Sequence, residues 1–405
     1  MYVNRILKKM VDQARSTFPA VLITGPRQSG KTTFLREEYG KESHYVTFDD
    51  PLERQFASED PNTFLNRFSD RPVILDEIQY VPLFFSWLKM RIDSERSRGG
   101  RFLMTGSQQF HVMKNVSDSL AGRIAIFDLL PFSGGEYLAV HPGHNIQDLI
   151  WYGSYPEVVL HPEQRNLWIS SYLRTYVERD VRQLQGIRDL GQFEQFVGLL
   201  AARHGQELNL SALSRTIGLS VPGCKQWLHV LDASYMIYLL KPFHRNFGKR
   251  LIKSPKIYFM DSAVAAYFSR QSSPEALWYG SMGGSFFEGW VVVDTLKRLI
   301  ALGHPPELYF WRSHDGLEVD LILVLDGRYY PVEIKQTATP MPGHTASLDA
   351  FRRITGDLCE PGMLVCTIDE TRPLPGGHTA VPWKAFGDRI ESILHSGGIG
   401  GLSAC

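Results

Sequence analysis

Apolar residues near positions 3, 6, 7, 10, 11 and 14 recur at helical spacing and predict an amphipathic helix over 1–18. The pattern then changes. AVLITG (20–25) is a short, β-branched run closed by glycine, which predicts a buried strand entering a turn. HYVTF (44–48), PVILDE (72–77) and RFLMTG (101–106) repeat that pattern, and helical stretches over 30–39, 51–67 and 82–98 separate them. This alternation predicts an α/β fold with a parallel sheet and crossover helices. Beyond about residue 130 the strand-like runs stop, and 131–200 reads as mostly helical, with PFSGGEYL and YGSYPEVV as irregular joints. Residues 206–256 read as two short helices and a hairpin, 286–300 as a helix, and 307–312, 317–325 and 328–336 as strands. The Gly- and Pro-rich stretch 371–405 is expected to be frayed.

Composition adds little until it is divided. The 405 residues are 43% hydrophobic and 21% charged, an ordinary globular balance, and 43 basic side chains cancel 43 acidic ones. Residues 1–202 carry a net −1, residues 203–256 a net +7 from nine basic and two acidic side chains, and residues 257–405 a net −6. A basic segment between a neutral and an acidic one points to a polyanionic partner. The four cysteines form no CxxC pair or metal-ligand spacing, which suits a reducing compartment. No apolar run approaches the roughly 18 residues needed to span a bilayer, and charges interrupt the N-terminal segment. The expectation is a cytoplasmic protein without a membrane segment.

GPRQSGKT (25–32) fits G-x-x-x-x-G-K-[ST] and falls between a predicted strand and a predicted helix. Gly25 and Gly30 permit a tight turn whose N–H groups, with those of Gln28, Ser29, Thr32 and Thr33, face phosphate oxygens. The helix that follows adds its positive end. Lys31 would place a cation on the β- and γ-phosphates of ATP, and the Thr32 hydroxyl would ligate Mg²⁺. VILDE (73–77) delivers Asp76 and Glu77 at the C-terminal end of a buried strand, where open α/β sheets bind ligands. Asp76 would hold the Mg²⁺, and Glu77 would polarise the attacking water. A strand over 44–48 intervenes between the two motifs, which suits ATPases that use such a glutamate. Ser107, or alternatively Thr105, would sense the γ-phosphate, and Arg123 in SLAGR would complete a neighbouring subunit's site.

SALSRTIGLS followed by VPGCKQWLHVLDAS predicts a helix–turn–helix over 211–234, with Ser211 and Ser220 as N-caps and Gly218 as the break. MIYLLKPF and KIYFMD would be the two strands of a wing around the basic loop HRNFGKRLIKSPK. With only Lys225, Gln226 and His229 on the second helix, the DNA backbone or shape would be read, not a strict sequence. A winged helix used for packing or protein contact is the other reading.

LEVDLILVL-DG-RYYPVEIK (317–335) carries a strong two-residue hairpin signal at Asp326-Gly327. That turn sets residue 325 opposite 328, so Asp320 faces Glu333 and Glu318 faces Lys335. Adjacent carboxylates in a sheet call for a divalent cation, and oxygen-only ligands suit Mg²⁺ or Mn²⁺. Asp…Glu-x-Lys is the arrangement of PD-(D/E)xK nucleases, in which metal activates water and the lysine stabilises phosphate charge. Glu288, on the preceding helix, resembles the extra acid such folds carry. A site retained only to bind DNA is the alternative to cleavage.

GPRQSGKT, VILDEIQ, LMTGSQQF, LAGR, LPFSGGEYL, YGSYPEV and YVERDV, in this order over about residues 1–370, resemble a prokaryotic family of AAA-type ATPases. Those proteins carry a C-terminal winged-helix and restriction-endonuclease-like region labelled a domain of unknown function. The resemblance implies an ATPase core over 1–130, a helical lid over 131–202, a winged helix over 203–260 and a nuclease-like α/β domain over 261–405. It also implies a homo-oligomer, as a ring. Arg179 and Asp180 in YVERDV receive no role from it. The rivals are an ATP-gated regulatory switch with an inert C-terminal domain, and a protein remodeller.

Overall fold

The computed structural model describes residues 1–95, 99–106, 120–176, 189–244 and 254–397. Its first sheet has five parallel strands: β1 (Ala20–Thr24), β2 (His44–Thr47), β3 (Val73–Asp76), β4 (Phe102–Thr105) and β5 (Ile124–Asp128), in the order β2-β3-β4-β1-β5. All residues of β1, β3 and β4 are buried, so these strands fill the middle of the sheet. Only Val46 of β2 is buried, and β2 takes the edge. The strand that lies in space between the P-loop strand and the Asp76 strand is therefore β4. The 44–48 run, which intervenes in sequence, lies on the far side of β3. Parallel pairing brings the C-terminal ends of β1, β3 and β4 together, and the candidate chemistry lies there.

Local signals explain most helix limits. The stretch expected as one helix over 51–67 is two, Pro51–Glu59 and Pro61–Asn66. Pro61 cannot continue the first, and the Asp60 side chain caps the second by accepting from the Thr63 N–H. In the helix–turn–helix, Leu210–Ile217 is capped by Asn209 and not by Ser211. Gly218 ends it at φ 73°, and Ser220 caps Val221–Ala233. Lys225, Gln226 and His229 lie exposed on that second helix.

The second sheet is mixed and has eight strands. They are β6 (Ile237–Pro242), β7 (Lys256–Phe259), β8 (Leu308–Arg312), β9 (Glu318–Leu325), β10 (Arg328–Ile334), β11 (Met363–Cys366), β12 (Arg372–Pro373) and β13 (Thr379–Pro382). The order is β12-β13-β11-β10-β9-β8-β6-β7. The wing hairpin β6–β7 thus continues the C-terminal sheet, because β6 pairs with β8 through Lys241 and Pro242. The expected fraying of the C-terminal stretch is overturned for residues 372–397, which form β12, β13 and the helix Trp383–Gly397. The glycines that suggested disorder, Gly376 and Gly377, adopt φ 75° and 78° in the turn between those strands.

One large apolar core joins the helices over 134–233 to the second sheet and to the long helix Gly283–Ala301. Two others cover the faces of the first sheet. Among the described residues no helix is long and apolar enough to cross a membrane.

Candidate functional site

β1 delivers the chain into the glycine-rich loop, and the helix Lys31–Tyr39 receives it. Gly25 has φ 133°, and a Cβ there would lie 2.4 Å from the Leu129 carbonyl oxygen, so this position demands glycine. Gly30 at φ 92° and Gln28 at φ 60° complete the turn. Lys31 Nζ donates to the carbonyls of Gly25 (3.1 Å) and Pro26 (2.7 Å), which holds it against the loop.

Across the sheet, Asp76 is 4% exposed. Its Oδ1 accepts from the hydroxyls of Thr32 (2.7 Å) and Thr105 (2.5 Å), and its Oδ2 accepts from Tyr45 (3.0 Å). Burial, and after it the Asp76 charge, pushes the Tyr45 phenol up to about 12, so the phenol stays a donor. The Thr32 hydroxyl and Asp76 carboxylate are thus adjacent hard oxygen donors, of the kind that could hold Mg²⁺. Glu77 is left-handed at φ 58°, a conformation costing a non-glycine residue about 1 kcal/mol. Its N–H donates to Thr105 Oγ1 (3.0 Å), and the Gln79 amide donates to its carboxylate. Thr105 on the central strand therefore ties Asp76 to the Glu77 backbone. Ser107, Arg179 and Asp180 lie outside the described residues.

Beside the loop opens a cavity of about 570 Å³, lined by Gln28, Gly30 and Thr33 on one side and by Val3, Pro156 and Trp168 on the other. Its size and its mixed apolar and polar wall suit a nucleoside moiety next to phosphates held by the loop. Buried Arg5 borders it. The Arg5 guanidinium donates to the Ser29 carbonyl (3.0 Å), the Leu130 carbonyl (2.6 Å) and Glu136 Oε1 (3.0 Å). Arg123 pairs within the chain, donating to both oxygens of Asp93 (2.7 and 3.1 Å).

A second cluster lies where β9 and β10 part. Asp326 (φ 49°) and Gly327 (φ 76°) make the expected turn, and the register runs from Leu325–Arg328 to Leu321–Val332. Beyond it β9 pairs with β8 and β10 with β11, and the Ile334 N–H donates to the Asp320 carboxylate (2.8 Å). Lys335 Nζ bridges Asp320 (3.3 Å) and Glu333 (2.6 Å). The expected Glu318–Lys335 pair does not form, because the two strands have diverged by that point. Glu318 instead binds Lys256 and approaches Arg312 at 3.8 Å.

Glu288, Glu318 and Asp320 each place a carboxylate oxygen within 4.8 Å of the others. That trio has Glu318 where the sequence suggested Glu333, which is held by Lys335 and by the Ser347 hydroxyl (2.9 Å). Glu288 accepts from Lys256 Nζ (2.8 Å) and from the Tyr258 hydroxyl (2.5 Å). Lys256, counted in the basic run, is buried at 4% exposure, so it is no part of a phosphate-facing surface. Burial alone would lower its pKa and that of Lys335, but the surrounding carboxylates more than reverse this. Sequence reasoning missed Lys256, Tyr45 and Arg5. Only Lys256 left a trace, as a charge heading an apolar strand.

Burial and the Asp320 charge push Glu288 and Glu333 each up to about 7, against the pull of their lysines. Each therefore holds its proton more tightly when folded than when unfolded, where it titrates near 4.5. The stability this contributes is complete below pH 4.5 and is lost as pH rises through about 7. Glu333→Gln should flatten that fall. Melting temperatures of variant and wild type across this window test it, and parallel curves would refute the assignment.

Comparison with known proteins matches three stretches of the chain. A family model described as an AAA domain matches residues 17–138. Two described as domains of unknown function match residues 143–275 (DUF8612) and 283–386 (DUF4143). An uncharacterized protein of Mycobacterium tuberculosis is 34% identical over 328 residues, covering 80% of this chain and 71% of its own. One of Methanocaldococcus jannaschii is 22% identical over 271 residues, covering 59% of this chain and 60% of its own. Among solved structures, the RuvB Holliday junction branch migration motor of Thermotoga maritima matches 57% of this chain and 88% of its own, at 15% identity and TM-score 0.30.

Proposed function

We propose that this chain, which carries an AAA-type ATPase core and belongs to one family with the Mycobacterium tuberculosis protein, couples ATP hydrolysis to remodelling or translocating DNA. The observation that carries the ATPase half is the Thr32–Asp76–Thr105–Glu77 chain of contacts at the ends of three neighbouring strands. Lys31 and the N-terminus of its helix bind the phosphates, and Thr32 and Asp76 hold the metal. Mg²⁺ held there would supply positive charge against the phosphate oxygens. Glu77 positions water and takes its proton, while Thr105 keeps the Glu77 backbone in place. Arg123 would act on a neighbouring subunit after leaving Asp93, which makes a homo-oligomer part of this reading.

The DNA half is supported by Lys225, Gln226 and His229 lying exposed on the second helix of a helix–turn–helix, in a segment of net positive charge. Arg215 and Lys241 are also exposed. The C-terminal cluster supports a nuclease-like role through Lys335, whose ammonium bridges Asp320 and Glu333. There Glu288, Glu318 and Asp320 would hold a divalent cation whose chemistry is to lower the pKa of bound water, and Lys335 would balance charge on the phosphate. The alternative is an ATP-gated switch whose C-terminal site is inert.

DNA is expected to stimulate ATP turnover severalfold. The logarithm of its affinity should fall linearly with the logarithm of salt concentration, by about 0.9 per phosphate contacted on duplex. ATPase and nuclease assays on single-stranded, duplex and branched DNA, with Mg²⁺ or Mn²⁺, test both halves. Salt-independent affinity would overturn the DNA reading. Absence of cleavage on every substrate, with Asp320→Ala indistinguishable from wild type, would leave the switch.

A further inference from the structure

Lys256 begins β7, the strand that closes the wing hairpin, yet its ammonium lies in the carboxylate cluster of the C-terminal sheet. It is 2.8 Å from Glu288 and bonded to Glu318, two of the three acids whose oxygens converge within 4.8 Å. Tyr258, two residues further along β7, donates to the same Glu288 oxygen. An oxygen-ligated divalent cation on this trio would draw on the same carboxylates that Lys256 already neutralises. An ammonium already bound to two of them repels a second cation at short range. The donor set therefore fits Mg²⁺ or Mn²⁺ in chemistry, while the fold supplies its own cation to the same oxygens.

We propose that Lys256 is an internal counter-ion that competes with divalent metal for Glu288, Glu318 and Asp320, so that the cluster holds either the lysine or the metal. The inference rests on reading these acids as a metal site, though not on DNA cleavage. It assigns to the wing strand a control over the C-terminal site. A metal that enters must expel Lys256 from the cluster, and a retained Lys256 keeps the carboxylates neutralised without metal. The 143–275 and 283–386 segments thus share one site, since Lys256 comes from the first and the acids from the second.

The test is Mn²⁺ binding by the full chain, followed by electron paramagnetic resonance without nucleotide. Lys256→Met should bind Mn²⁺ about tenfold more tightly than wild type or better, as loss of one neighbouring positive charge implies. Adding Asp320→Asn should abolish the gain, which separates this cluster from the Thr32–Asp76 site. A second measurement needs no variant. Acetylation of Lys256 in wild type, read by mass spectrometry, should rise as Mn²⁺ is added, because an expelled lysine becomes reactive. Equal Asp320-dependent binding by wild type and Lys256→Met, or acetylation that ignores Mn²⁺, would overturn the competition alone. No Asp320-dependent binding in either protein would overturn the metal site as well.

Discussion

ATP turnover by Glu77→Gln is expected to fall by about 10²–10⁴-fold, with nucleotide binding retained. The substitution keeps the size of the side chain and its ability to meet the Gln79 amide, but it removes the group that accepts a proton. The backbone should not move, because its left-handed turn is pinned by the Glu77 N–H on Thr105. Strain held in place by a neighbouring strand is the mark of a residue whose position matters. Single-turnover hydrolysis alongside equilibrium binding of a fluorescent ATP analogue separates the two effects. If Glu77→Gln hydrolyses ATP at the wild-type rate, Glu77 is not the base. If binding collapses too, the residue supports the loop rather than the reaction.

Arg5→Met should destabilise the protein by about 3–5 kcal/mol, the usual cost of breaking a buried ion pair from one side. Methionine keeps an apolar stem but loses the guanidinium, which lies over the Phe132 ring (4.9 Å to its centroid) and serves Glu136 and the carbonyls of Ser29 and Leu130. Glu136 keeps the N–H groups of Ile6 (2.8 Å) and Ser133 (2.9 Å), which moderates the loss. Because Arg5 also holds the Ser29 carbonyl and borders the cavity, the Michaelis constant for ATP should rise together with the drop in melting temperature. An unchanged Michaelis constant would restrict Arg5 to stability. Calorimetry and steady-state kinetics on the same preparation decide between these.

The glycine-rich loop and the placing of Asp76 and Glu77 at a strand end were legible because their signals are local: a turn, a helix start and a strand end, each specified within a few residues. The β9–β10 turn was legible for the same reason, since Asp326-Gly327 sets the register on its own. What failed was pairing between segments distant in sequence. Strand order has no local signal: β4, later in sequence than both, lies between β1 and β3. Lys335 misses Glu318 because β9 and β10 part for new partners at β8 and β11. Lys256 could not be assigned from its own neighbourhood, where basic residues suggest a solvated loop. Its acidic surroundings arrive from residues 288–320. Glycine-rich sequence near 376 was read as disorder although it encodes a tight turn between strands.

The long helix Gly283–Ala301 holds Glu288 near its start. Further along, Asp294 accepts from the Gly134 N–H (2.5 Å), and Lys297 binds the Phe132 carbonyl (3.3 Å) and the Ser154 hydroxyl (2.7 Å). One rod thus faces the acidic cluster with one turn and the segments around Phe132–Gly134 and Ser154 with another. Helical phase then constrains how such a chain can vary in length. Each residue inserted or deleted between Glu288 and Asp294 would turn one end by about 100° against the other. It would bring either the carboxylate or the docking face out of place. Length changes are tolerable in loops such as 337–341, but this stretch can change only by substitution, since both of its ends are already committed to partners.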